Sequence, residues 1–302
     1  MEALLNPEIL STAVRALAPI LLVALGGFIS ERAGIFNIAL EGNMLIGAFA
    51  AVWGSYHFES AWAGVAVAVI AGATYSLLLA VIVVSFDGDE FVAGVALNLA
   101  AIGITGFLLR LLFDTRGSFD DPRILGLHAI RIPFIDGIPI LGELLSGHSA
   151  LIYLAIAMVP ATHWFLEHHV IGLRIRGVGM HPDAAESLGV SATRMRYLAL
   201  VLAGLLAGLG GAQLSIGQVT LFTGNMTAGR GWIAVVIVML AFGSTLRVLT
   251  IGAAFTFIIA AGLRLQTSGL PVQLTAAIPF AATLLALVIV YSRQHARAYW
   301  LE

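Results

Sequence analysis

Long apolar runs, each closed by a short polar or glycine-bearing stretch, organise this chain. They fall at roughly 9–29, 34–53, 61–85, 91–113, 149–166, 196–217, 231–243, 248–265 and 271–291. A helix needs about 20 apolar residues, at about 1.5 Å each, to cross a hydrocarbon core of about 30 Å. Barrel strands would instead alternate in units of about 10 residues, and no such alternation occurs. The pattern predicts an all-α polytopic membrane protein, one transmembrane domain over 1–302 with about 8–10 helices. The count is soft because two runs are irregular. The run 231–243 stops at Gly243-Ser244, and the run 34–53 carries Asn37, Glu41, Gly42 and Asn43 in its middle. Interrupted helices of this kind are typical where a transporter holds its solute.

Composition sharpens the class. With 60% apolar and 11% charged residues and a mean hydropathy of +0.99, the chain has too little polar surface for a soluble globule. All fifteen basic residues are arginine, the net charge is −2, and no basic cluster suited to nucleic acid is present, so nucleic acid is not expected as a partner. Cysteine is absent, which removes disulfides, thiolate catalysis and cysteine metal sites. The first run lacks a basic n-region and a convincing cleavage site, so it reads as a retained span.

Polar groups within membrane spans are costly and usually have a reason. On a continuous helix Asn37 and Glu41 share a face, with Gly42 and Asn43 adjacent, and together offer a carboxylate and amides to a polar solute. Alternatively Glu41 is tied to a neighbouring helix through Arg15 or Arg32. Phe91, Gly94 and Asn98 form a second set at three- and four-residue spacing. There an aromatic ring beside an amide suits a nucleobase or sugar, or Asn98 simply joins two helices. Gln213, Gln218, Asn225 and Thr227 flank the break before Gly229-Arg230-Gly231 as a third set, with Arg230 expected to snorkel to the interface. Gly204 and Gly208, and the line of Ala203, Ala207 and Gly211, predict close helix packing.

The stretch Gly172 to Tyr197 is polar and arginine-bearing. Pro182 suits a first helical turn, Asp183 a helix N-terminus and Gly189 a helix stop, so a short helix is expected there, with Ala184, Ala185 and Leu188 as its apolar face. Such a helix is too short to stand alone in water, so a docking partner is expected, the alternative being an ordinary solvated loop. Arg174, Arg176, Arg194, Arg196, Arg293 and Arg297 place this segment and the tail inside. The loop 114–148, rich in Pro and Gly, then falls outside, Asp87 to Glu90 and Glu31-Arg32 inside, and the N-terminus outside. His163, Glu167, His168 and His169 lack HExxH spacing, and an interfacial role is expected for them. Ser146-Gly147-His148 is no nucleophile elbow. No G-x-x-x-x-G-K-[ST] occurs, so the chain is expected to bind no cofactor itself and to depend for any ATP on a separate subunit.

Three stretches carry a resemblance. Asp183-Ala184-Ala185, three residues including Glu186 and Leu188, then Gly189, resembles the EAA-x-x-x-G loop of ABC-importer permeases, with Asp in place of Glu. Ile29 to Ala51 (ISERAGIFNIALEGNMLIGAFAA) and Glu90 to Asn98 (EFVAGVALN) look like the nucleoside-type permeases, in a branch that also moves ribose and branched-chain amino acids. The resemblance implies a non-enzymatic transport subunit in a bacterial or archaeal cytoplasmic membrane. It further implies that Pro182 to Gly189 couples to an ABC ATP-binding subunit, that a second permease chain completes a dimer, often a heterodimer, and that an extracytoplasmic solute-binding protein delivers substrate. A purine nucleoside is the expected substrate and a ribose-like sugar the runner-up. An ion-coupled secondary transporter using Glu41, or a passive channel, remains as a different class.

Overall fold

The computed structural model describes residues 7–131 and 146–267 together with Ala281. The rest of the run 271–291, Arg293, Arg297 and the middle of the loop 114–148 lie outside these. Ten helices follow in order: α1 Pro7–Arg32, α2 Leu40–Phe58, α3 Ala61–Ala80 with a π turn Val81–Ser85, α4 Glu90–Phe113, α5 Ala150–His168, α6 Val170–Met180, α7 Pro182–Ser187, α8 Ala192–Leu214 with a π turn Ser215–Val219, α9 Arg230–Ala241 and α10 Thr245–Thr267. Two short antiparallel pairings complete the described fold: β1 Ser118–Phe119 with β4 Phe222–Thr223, and β2 Ala129–Ile130 with β3 His148–Ser149.

Local chemistry sets several helix starts. The side chains of Ser60, Asp89 and Ser191 accept the N–H groups of Ala63, Val92 and Arg194, each three residues on. Six of the described helices are long and apolar enough to cross a membrane. α2 has the length but not the hydropathy, because Glu41, Asn43, His57 and its small residues dilute it. α9 has twelve residues, about 18 Å, and is a half-span.

α1, α2 and α8 form the centre, and α3 packs on α2 and α8. The small residues of α8 do what their spacing predicts. A Cβ at Gly204 would lie 2.4 Å from the carbonyl oxygen of Gly72, and one at Gly208 would lie 2.4 Å from that of Ala68, so α3 and α8 touch backbone to backbone. Gly211 faces the Met44 carbonyl of α2 as closely, and Ala203 meets Gly26 of α1.

The bundle has two distinct ends. At one, Gly179 of α6 lies against the backbone of Arg32 and Gly34, and the hydroxyls of Ser85 and Tyr197 are 2.6 Å apart. This end collects the polar stretches that the sequence places on a common side. At the other end the loop after α4 folds down on the bundle. Leu127 N–H donates to Ile216 O at 2.9 Å, Ser55 Oγ donates to Leu125 O at 2.7 Å, and the Arg123 guanidinium lies 4.1 Å from the centre of the Tyr56 ring. α1 starts at this loop end, where its Arg15 carbonyl accepts from Gln218 Nε2 at 2.6 Å.

Candidate functional site

Two helices begin inside the bundle rather than at its surface, and their N-termini meet. Residues 34–38 leave α1 without helical form, and α2 starts at Leu40. α9 starts at Arg230 after the turn at Gly229, whose φ of 84° is open to glycine. A Cβ at Gly231 would lie 2.4 Å from Glu41 Cα, so only glycine admits this approach. Gly27 of α1, five residues before Arg32, packs on Leu40, and Gly243, just past the end of α9, packs on Arg32, so at about 1.5 Å per residue the junction lies about 8–18 Å inside that end.

Glu41 occupies the junction. Its two carboxylate oxygens accept the backbone N–H groups of Gly229 at 2.8 Å and Gly231 at 2.6 Å, groups that open α9 and have no partner within that helix. It also sits in the first turn of its own helix, so one negative charge serves the positive ends of two helices. The sequence expectation of a tie to Arg15 or Arg32 is replaced by this longer-range cap. Arg230 turns back on its own approach, its guanidinium donating to the carbonyls of Met226 at 3.1 Å and Thr227 at 3.2 Å rather than snorkelling.

Asn98 explains why α2 starts where it does. In a continuous helix Gly42 N–H would donate to Ile38 O, four residues back. Here the Asn98 amide stands between them: Oδ1 accepts Gly42 N–H at 2.7 Å and Nδ2 donates to Ile38 O at 2.9 Å. Gly94, one turn earlier on α4, lets Ile38 and Ala39 come close. Two further bonds fix the break. Asn37 Oδ1 accepts Ala39 N–H at 3.0 Å, and Glu90 Oε2 accepts Phe36 N–H at 2.6 Å. Asn37 therefore lies outside the helix, and the four-residue face it was expected to share with Glu41 does not form.

Other polar atoms are left over in this interior. Both amide atoms of Asn43 are buried without a hydrogen-bond partner, as are Asn37 Nδ2, Gln213 Nε2 and Thr227 Oγ1. Gln213 Oε1 accepts from Ser149 Oγ at 2.6 Å. Phe91 is 62% exposed and Asn225 is an exposed turn residue with φ 57°, so neither joins the junction.

The docking segment forms two helices rather than one. Pro182 opens α7, Gly189 N–H donates to Glu186 O and Val190 N–H to Ala185 O, with Gly189 at φ 81°. Leu188 is 85% exposed. Between α6 and α7 runs an apolar groove of about 450 Å³ lined by Val170, Leu173, Met180, Ala184, Ala185 and Leu188. Glu167 pairs with Arg176, and His169 Nδ1 accepts Ile171 N–H at 3.3 Å, which gives both residues roles in the fold at the start of this segment.

Sequence reasoning gathered Glu41, Asn98 and the docking helix but missed Glu90 and Gly179. The signals for Glu90 were its place beside the capping Asp89 and at the head of the Glu90 to Asn98 stretch that resembles the nucleoside-type permeases. Nothing local marked Gly179.

The family described as branched-chain amino acid transport system / permease component matches residues 9–288. The guanosine ABC transporter permease protein NupQ of Bacillus subtilis is 36% identical over 264 residues, covering 84% of this chain and 81% of its own length. A putative glucose ABC transporter permease protein, TsgC13 of Haloferax volcanii, is 33% identical, with coverage of 93% and 84%. The nucleoside ABC transporter permease protein NupC of Lactococcus lactis is 32% identical, with coverage of 72% and 69%. No solved structure matches the chain.

Proposed function

Since the chain belongs to the permease component family of branched-chain amino acid transport systems and is an ABC transporter permease subunit of the cytoplasmic membrane, we propose that it passes nucleosides inward as part of an importer. The observation that carries the substrate class is the relative named a guanosine permease, at 36% identity over 84% of this chain. The unpartnered amide of Asn43, two residues along α2 from Glu41, suits the hydrogen-bonding edges of a base or ribose. A sugar is the second reading, favoured by the relative named a putative glucose permease.

In this reading the α6–α7 end faces the cytoplasm, α7 seats on an ATP-binding subunit, a second permease chain lies alongside and a solute-binding protein delivers at the loop end. ATP-driven movement of α7 then shifts the α2–α9 junction between two arrangements. An ion-coupled route through Glu41 is disfavoured because both carboxylate oxygens already accept backbone N–H groups.

The test is uptake of labelled guanosine by cells expressing this chain with its partner subunits, competed with glucose and ribose. Uptake should stop on ATP depletion, survive collapse of the ion gradient and resist both sugars. Uptake that follows the gradient would overturn the importer, and competition by a sugar would overturn the nucleoside.

A further inference from the structure

A small polar cavity of about 160 Å³ lies where three parts of the chain meet at the docking-segment end. Gly34 and Ile35 of the break line it, as do Asp87 and Gly88 of the α3–α4 link, Glu90 of α4 and Arg196 of α8. Glu90 spends its carboxylate on the break, accepting Phe36 N–H at 2.6 Å. Arg196 faces the same cavity with its Nε buried and without a hydrogen-bond partner. A guanidinium donor left unmade beside a carboxylate is an arrangement with a second solution close by.

We propose that Glu90 is a positioning residue that exchanges partners, Phe36 N–H in the arrangement seen here and the Arg196 guanidinium when the docking segment is displaced. The inference rests on the reading of the chain as an importer subunit.

The chain makes the linkage short. Arg196 lies in the second turn of α8, and α8 follows α7 after Leu188, Gly189, Val190 and Ser191. Only Leu188 to Met195 separate Arg196 from α7, and this is the path by which displacement of α7 reaches it. At the other end, Phe36 is followed by Asn37, whose side chain holds Ala39 N–H, and Glu41 of α2 holds the start of α9. Freeing Phe36 loosens the approach to α2 and so the junction with α9. Gly179 pressed on Gly34 gives the break a second contact with the docking segment, without a side chain to exchange. Glu90 thus has two discrete arrangements, which a coupling element requires.

The variant Glu90→Gln separates holding from exchanging. Glutamine keeps an oxygen for Phe36 N–H and loses the charge that draws Arg196. The experiment uses the whole transporter, this chain with its ATPase, second permease and binding protein, in proteoliposomes, and reads guanosine accumulated per ATP hydrolysed. Glu90→Gln should assemble and hydrolyse ATP while that ratio falls about tenfold, within the range of ordinary coupling energies. Arg196→Gln should match it, and the double variant should be no worse than either single one. An unchanged ratio in Glu90→Gln, or losses that multiply in the double variant, would overturn the exchange. If Glu90→Gln does not assemble, Arg196→Gln decides alone, and an unchanged ratio there overturns it. A wild-type complex that accumulates guanosine without hydrolysing ATP would fail the importer reading instead.

Discussion

The carboxylate of Glu41 lies 2.6 Å from the backbone nitrogen of Gly231 and joins two helices that both start inside the bundle. Removing it leaves the buried N–H of Gly231 and the half-buried N–H of Gly229 unmade, each costing about 1–3 kcal/mol. Glu41→Ala should therefore destabilise the folded protein by about 2–6 kcal/mol, and Glu41→Gln, which keeps an acceptor, by less. Thermal melting of the detergent-purified complex checks the order. Equal melting of Glu41→Ala and wild type would show that the cap does not stabilise the fold.

Asn98 gives a different expectation, because its amide replaces a helix bond rather than ending one. Asn98→Leu leaves Gly42 N–H and Ile38 O without their partners in a buried site, costing about 2–6 kcal/mol. The two groups are placed to find each other as a normal helical pair, extending α2 backward. The expected result is a protein that still assembles but melts lower and transports poorly.

Two glycines should fail in opposite ways. Gly211→Ala sets a methyl 2.2 Å from the Met44 carbonyl and 2.4 Å from Ala48 N, backbone atoms that cannot turn aside, so the α2–α8 contact opens and the yield of folded protein falls. At Gly189 there is open space but φ is 81°. Gly189→Ala should cost about 1–2 kcal/mol of strain local to the α7–α8 link, leave the melting temperature of the permease unchanged and weaken retention of the ATPase in pull-down.

The loop end supplies a pH test. The Arg123 side chain bonded to Asp121 holds that carboxyl below the usual aspartate range. A depressed folded value means that the contact is complete above the ordinary value of about 4 and is lost only as pH falls through the lower one. Hydrogen-exchange protection over 118–125, taken relative to the intrinsic exchange rate at each pH, should not change between pH 7 and pH 5. Arg123→Gln, which also removes the cation over Tyr56, should raise that exchange at both pH values.

Much of this was legible in the sequence, and the reasons are local. Apolar length marks spans, Pro182 and Gly189 mark the ends of a helix, and Gly204 and Gly208 mark close packing by their period alone. Asn37, Glu41 and Asn98 stood out because polar groups in an apolar run need partners. Their partners did not stand out. Ile38, Gly42, Gly229 and Gly231 contribute backbone groups, which every residue has, so no side chain announced them. For the same reason the sequence alone places Asn37 on a helix: the interrupting Asn98 amide comes from 60 residues further along.

The cap on α9 also bears on how the chain is made. Glu41 leaves the ribosome 190 residues before Gly231, an interval of about 10–40 s at ordinary elongation rates. Through that time α2, too polar to rank among the six apolar spans, carries a carboxylate whose partners do not yet exist. α2 therefore enters the bundle with this cap unmade, held first by its packing on α3 and then on α8, and the junction closes only once α9 has been made.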